Sequence, residues 1–105
     1  MSLDRSASLL GRMMREQWSF TPVYNNGHID RVDGLRRWPD GWVDGIRILG
    51  PDDVVGIRVV KRQAAEIVWE QTGSLETIVN QLLELPPPGN RLAPYLATGR
   101  SPLAM

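Results

Sequence analysis

The chain of 105 residues contains no cysteine and only one histidine. The absence of cysteine excludes a disulfide framework, a thiolate nucleophile and a cysteine-ligated zinc site. It is also typical of a reducing compartment, so we expect a cytoplasmic protein. His28 is the only candidate for the base of a catalytic triad, and no serine lies in a nucleophile-elbow sequence. Hydrolysis by a triad is therefore not expected.

An excess of charge of one sign is also missing, because 12 basic residues balance 12 acidic ones. Nonspecific binding to nucleic acid or anionic lipid draws on a positive excess. No apolar run approaches the roughly 20 residues that a membrane span needs. Charged residues interrupt the segment 1–18, where a secretory signal would have its apolar centre. We expect no membrane association and rank nucleic acid last among the partner classes.

Phosphate-binding glycine motifs are absent as well, since no G-x-G-x-x-G or G-x-x-x-x-G-K-[ST] pattern occurs. The acid pair Asp52-Asp53 follows Gly-Pro, where aspartate commonly forms a turn. These features predict no cofactor, no metal and no catalytic residues. Lys61 is the only lysine, and such an arginine bias is typical of a GC-rich bacterial genome.

Two segments have helical periodicity. Residues 3–17 carry apolar side chains three or four positions apart, as on one face of a helix. The stripe consists of Leu3, Ala7, Leu10 and Met14, and Leu9 and Met13 widen it. Ser74 is a good N-cap for a second helix over 75–85, which the proline run 86–88 ends. The first helix either packs on the sheet or contacts a second copy of the chain.

Turn signals divide the segment 20–71 into strands. Asn26-Gly27 predicts a tight hairpin, and Pro39-Asp40-Gly41 predicts a second turn flanked by Trp38 and Trp42. The near copies 43–49 and 54–60 predict a hairpin closed by residues 50–53. Alternation over 65–71 favours a strand with Ile67, Trp69 and Gln71 on one face, although a helix over 61–71 and an irregular segment 20–41 stay open.

This order predicts an α+β fold in which an antiparallel meander of four to five strands packs against the C-terminal helix, with an additional N-terminal helix. Composition supports one globular domain, since 42% of the residues are hydrophobic and 23% charged. We place the domain at residues 1–88. Residues 89–105, which contain proline and glycine, are predicted to form a loosely structured tail.

A pocket between sheet and helix would be the site of a small-molecule or anion binder, with weak enzymatic activity as a further option. Arg47 and Arg58 occupy equivalent positions in the two similar strands, so we expect them on one face. Asp44 or Glu66 opposite them would make an ion-pair ladder, which we favour, and without acids opposite they would bind an anion. The candidate ligand-binding residues are His28, Asp30, Arg47, Arg58 and Trp69.

Four tryptophans are many for a chain of this length. They fit a core, a protein interface or a stacking surface for single-stranded nucleic acid, and core roles are favoured. The interface candidates are Met14, Trp18, Trp38 and Trp42. From these features we expect a bacterial, non-enzymatic protein-interaction or regulatory module that forms a homodimer, with an unidentified protein as a further partner.

Overall fold

A computed structural model describes residues 3–100 of the chain, and Met1, Ser2 and 101–105 lie outside that part. Its elements are α1 (Leu3–Arg15), β1 (Ser19–Asn25), β2 (His28–Arg37), β3 (Trp42–Gly50), β4 (Asp53–Lys61), β5 (Ala65–Gly73), α2 (Leu75–Glu84) and β6 (Gly99–Arg100). The strands form one sheet in chain order, and every pair is antiparallel. The predicted α+β meander is confirmed, with β6 as a two-residue addition.

Both predicted turns of the segment 20–41 have the expected backbone conformation. Asn26 and Gly27 take positive φ angles of 51° and 80° between β1 and β2, as a two-residue hairpin requires. Between β2 and β3, Asp40 and Gly41 have φ angles of 63° and 81°. The backbone N–H of Trp38 donates to the carbonyl of Trp42 at 2.8 Å, which closes this turn.

The main core lies between the two helices and one face of the sheet. Its buried members come from α1, the following residue Trp18, β3, β4 and α2: Leu9, Met13, Trp18, Ile46, Val54, Leu75, Ile78, Val79 and Leu82. Helix α1 therefore joins the helix layer of its own chain. A smaller apolar cluster lies on the other face of the sheet and contains Val43, Ile57, Val59 and Ile67.

Helix α1 presents a different face and a different end from those predicted. Leu9 and Met13 are buried, whereas Ala7 and Met14 of the predicted stripe are exposed. The helix ends at Arg15 rather than at 17, because Gln17 adopts φ 71°. The N–H of Trp18 then bonds the carbonyl of Met13 at 3.1 Å, a Schellman arrangement in which both side chains enter the core.

Helix α2 matches its prediction closely. The Oγ of Ser74 accepts a hydrogen bond from the N–H of Thr77 at 3.2 Å, as an N-cap does. The apolar stripe supplies Leu75, Ile78, Val79 and Leu82 to the core. The chain leaves the helix at Leu85, directly before the proline run.

Strand β5 is a strand, as favoured, but its faces differ from those predicted. Trp69 pairs with Arg58 and Ile67 pairs with Val59, so a β-bulge leaves Val68 without its own partner. The extra residue reverses the alternation. Trp69 packs on the core beneath the helices, whereas Ile67 belongs to the cluster on the opposite face. The prediction that Ile67 and Trp69 share a face is therefore wrong.

The segment after residue 88 is attached to the domain. Ala93 is buried, and its N–H donates to the carbonyl of Asn90 at 2.9 Å. Further along, the N–H of Thr98 donates to the carbonyl of Ile67 at 2.6 Å, and β6 pairs with β5 at Glu66 and Ile67. The described part of the predicted tail thus adds a short strand to the sheet.

Gly56 on β4 lies directly beneath α2. A Cβ at this position would come within 2.7 Å of Ile78 Cγ2 and 3.2 Å of the Trp69 ring. We expect Gly56→Ala to lower the free energy of unfolding by about 1–3 kcal/mol, because the packed helix must move. Urea titration followed by circular dichroism measures the loss. Gly50→Ala is the control, since no atom lies within 4 Å of its Cβ, and equal losses for both variants would contradict the close packing.

Candidate functional site

The structure does not bring the five candidate ligand-binding residues together. His28 and Asp30 are exposed at the tip of the β1–β2 hairpin. Trp69 lies on β5, and two strands separate β5 from β2 in the sheet. The single histidine therefore has neither Trp69 nor a paired arginine beside it, and the predicted cleft built from these residues is not formed.

Arg47 and Arg58 project from opposite faces of the sheet, so their predicted common face is wrong. Arg47 lies opposite Val55, and Arg58 lies opposite Asp44. Residues 55 and 58 are three positions apart on the same strand, and an odd spacing in a strand reverses the side. Equivalent positions in two similar sequences do not share a face when the strands run antiparallel in this register.

The buried ion pair between Arg58 and Asp44 lies on the helix-covered face. Arg58 is 0% exposed and Asp44 is 1% exposed. The guanidinium donates from Nε to Oδ1 at 2.6 Å and from Nη2 to Oδ2 at 2.8 Å, which is a bidentate arrangement. The predicted pairing of Arg58 with Asp44 is thus confirmed as a cross-strand contact.

Two further contacts complete this cluster. Trp38 Nε1 donates to Asp44 Oδ2 at 3.0 Å, and Arg58 Nη1 donates to the carbonyl of Pro86. The Arg58 guanidinium also lies 5.8 Å from the centre of the Trp38 ring, while Arg36 covers that ring at 4.0 Å. Because its donors already have protein partners and it is sealed from solvent, Arg58 is a structural residue rather than an anion-binding one.

Removal of one member of this pair should be costly. Arg58→Met leaves the Asp44 carboxylate buried without its cation, and we expect a loss of about 3–5 kcal/mol in the free energy of unfolding. The double variant Arg58→Met/Asp44→Leu should lose less, because no buried charge remains. Urea unfolding of the three proteins provides the comparison. A double variant less stable than Arg58→Met would contradict this account.

Arg47 forms its own ion pair on the opposite face. Its Nε and Nη2 donate to the two carboxylate oxygens of Asp33 at 2.8 and 3.1 Å, and Arg31 Nε donates to the same carboxylate at 3.3 Å. Burial raises the pKa of Asp33, but the hydrogen bonds and charges of the two arginines outweigh it and hold the pKa below the ordinary value of 3.8.

Because the pKa of Asp33 is lowered in the folded state, the free energy of unfolding decreases as the pH falls into the acidic range. A carboxylate with a lower pKa in the folded state stabilises the fold above its unfolded pKa, and that contribution disappears as the pH falls through the folded value. We expect Asp33→Asn to lose less stability than the native chain between pH 7 and about pH 3. Urea midpoints at both pH values test this. Asp52→Asn, which changes an exposed acid outside the groove, should behave like the native chain; equal acid sensitivity of all three would contradict the assignment.

The four interface candidates lie in different environments. Trp18 is buried in the main core, so the surface of this chain does not present it. Trp38 and Trp42 are half-buried at the β2–β3 turn, where Trp38 serves the ion-pair cluster. Met14 is 62% exposed on α1 and remains a surface candidate.

A groove of about 270 Å³ lies between α1 and the ends of two hairpins. We call it the hairpin groove. Asp30 and Arg31 contribute to its rim, together with Ser6 and Gly50. Its apolar lining comes from α1, β2, the end of β3, the β3–β4 turn and the start of α2: Leu10, Ile29, Val32, Ile48, Leu49, Pro51 and Leu75.

The hairpin groove is apolar and open to solvent. Ile29 is 58% exposed and Leu49 is 49% exposed. Tyr24, directly opposite Ile29 on β1, is also largely exposed, so it extends the apolar surface along the hairpin. Asp30 was among the predicted ligand-binding residues, but Ile29 and Leu49 were not, because they are distant in the sequence and meet only in the folded chain.

Two further observations limit the chemistry of the described chain. Within residues 3–100, no group of three histidine, aspartate or glutamate side chains could hold a metal ion. Neither helix of this part has the length and apolar character needed to span a bilayer.

Comparisons of the chain with protein families, with curated proteins and with solved structures find no match.

Proposed function

We propose that this protein is a non-enzymatic interaction module that acts as a homodimer formed through the hairpin groove. The exposed apolar surface of that groove is the observation that carries the proposal. Large apolar side chains that are about half exposed leave apolar surface in contact with water. Burial of that surface against a partner would contribute about 25 cal/mol per Å². Contiguous patches of this kind commonly mark protein-binding surfaces.

The charges at the rim favour a second copy as the occupant. Asp30 has no cation partner among the side chains of residues 5–98, and Asp33 shares its charge between Arg31 and Arg47. The rim thus carries an unpaired acid beside a partly compensated base. A twofold contact brings the same patch against itself, and we propose that Asp30 of one copy meets Arg31 of the other.

The edge of the sheet at β1 is a weaker candidate for self-association. Pro22 lies within β1 and has no N–H to donate to a further strand. Proline in an edge strand is a common protection against strand addition. The lateral surface of the hairpin, rather than its backbone edge, therefore supports the proposed contact.

Replacement of an exposed groove residue tests the dimer. Ile29→Asp places a charge in the apolar contact, and we expect the dissociation constant of the dimer to rise at least about tenfold. Light scattering over a concentration series, from low micromolar to near-millimolar protein, measures the average mass. Because Ile29 is exposed in the single chain, the fold should persist, which circular dichroism checks.

Leu92→Asp is the matched control, since Leu92 is an apolar residue that is even more exposed than Ile29 and does not line the groove. It should leave the dimer unchanged. A native chain that stays monomeric over the whole series would contradict the proposal. So would an Ile29→Asp variant that dimerises as well as the native chain.

A further inference from the structure

Strand β5 has an outer edge that is only partly covered. Strand β6 pairs with it at Glu66 and Ile67 alone. From Trp69 to Gly73 the pairing of β5 with β4 is regular, and no strand pairs with the other side of that stretch among residues 3–100. Backbone donors and acceptors along this stretch are therefore available to another extended chain.

This edge is less protected against strand addition than β1. The stretch 69–73 contains neither proline nor lysine, Glu70 is its single charged residue, and its bulge lies before it at Val68. The opposite edge of the sheet, β1, contains Pro22. Exposed sheet edges of this type accept extended peptides, whose alternate side chains then enter pockets on the faces of the sheet.

A pocket of about 300 Å³ lies beside this edge on the helix-covered face. Trp69 and Gln71 form its β5 side, and residues from the end of α2 form the other side, including Gln81 and Glu84. Trp69 and Gln71 pair with Arg58 and Gly56 of β4, so both lie on the same face. A strand added next to β5 would direct every second side chain towards this pocket.

The electrostatics of this pocket favour a cation. Glu84 ends α2, whose last turn contains no basic residue, so a carboxylate is added to the negative end of the helix dipole. Arg12 and Arg15 line a neighbouring cavity with Glu84, but no cation among the side chains of residues 5–98 pairs with its carboxylate. The Oε1 of Gln81 is buried and accepts no hydrogen bond from the described residues.

We infer that the β5 edge binds an extended peptide segment of a partner protein and that this segment places an arginine side chain in the pocket beside Trp69. Backbone hydrogen bonds to residues 69–73 supply the strand contact. The guanidinium donates to the exposed carboxylate of Glu84 and stacks on the Trp69 ring. This surface lies at the other end of the strand order from the hairpin groove, so the inference does not depend on the proposed dimer.

The probe is a short capped peptide of threonine and valine with a central arginine, labelled for fluorescence anisotropy. We expect it to bind the native chain and to protect the backbone amides of residues 69–73 from hydrogen exchange. Three altered probes separate the contributions: the same peptide with citrulline for arginine, the peptide N-methylated at alternate amides, and acetyl-arginine amide alone. Each should bind at least about fivefold more weakly than the parent peptide, since each lacks either the charge or the strand contact.

Two protein variants, at the exposed residues Glu84 and Gln71, test the pocket from the side of the protein. Glu84→Gln removes the charge and Gln71→Lys adds a repelling one, so both should weaken binding at least about fivefold. Glu16→Gln is the control, because Glu16 is an exposed acid that does not line this pocket. Circular dichroism establishes that the variants are folded.

Several results would overturn the inference. No binding of the parent peptide at millimolar concentration would do so, as would equal binding of the citrulline peptide. Equal affinity of Glu84→Gln and the native chain would remove the proposed cation site. Protection of amides outside 69–73 without protection of these five would place the peptide elsewhere. A chain that is monomeric but binds the parent peptide with the expected pattern would refute the dimer and retain this inference.

Discussion

The buried ion pair between Asp44 and Arg58 connects all the layers of this fold. It joins β3 to β4, receives Trp38 from the end of β2, and holds the chain after α2 through the carbonyl of Pro86. Removal of one partner leaves the other charge buried and unpaired, which strongly destabilises the fold. A shift of one residue between β3 and β4 would move Arg58 to the other face, away from Asp44, so the pair strongly disfavours any other register.

That register determines several features that look unrelated. It places Gly56 beneath α2, where a side chain would collide with Ile78. It also puts Arg47 on the opposite face, where Asp33 of β2 compensates its charge. The two arginines of the similar strands therefore form separate ion pairs, and both of these pairs stabilise the fold. The hairpin groove and the β5 edge are the surfaces that we propose for binding.

Local signals were sufficient to predict most elements, and tertiary contacts explain the failures. Asn26-Gly27 and Ser74 act through their own backbone and cap geometry, so the sequence reveals them. Gln17 takes a left-handed conformation without being glycine, because Trp18 gains burial against Met13. The bulge at Val68 has no local signature either. For the same reason the groove was missed: Leu10, Ile29 and Leu49 meet only in three dimensions.

The two ends of the sheet favour different kinds of contact. At the β1–β2 end, Pro22 blocks strand addition while the hairpin carries exposed apolar side chains on its face, which suits association by side-chain burial. At the β5 end, the exposed residues are polar and the backbone is open, which suits hydrogen-bonded addition of a strand. A dimer formed at the first end leaves the second end accessible. The proposed dimer would therefore present two copies of the β5 edge, one from each chain, and that arrangement would raise the apparent affinity for a partner with two segments of the proposed kind.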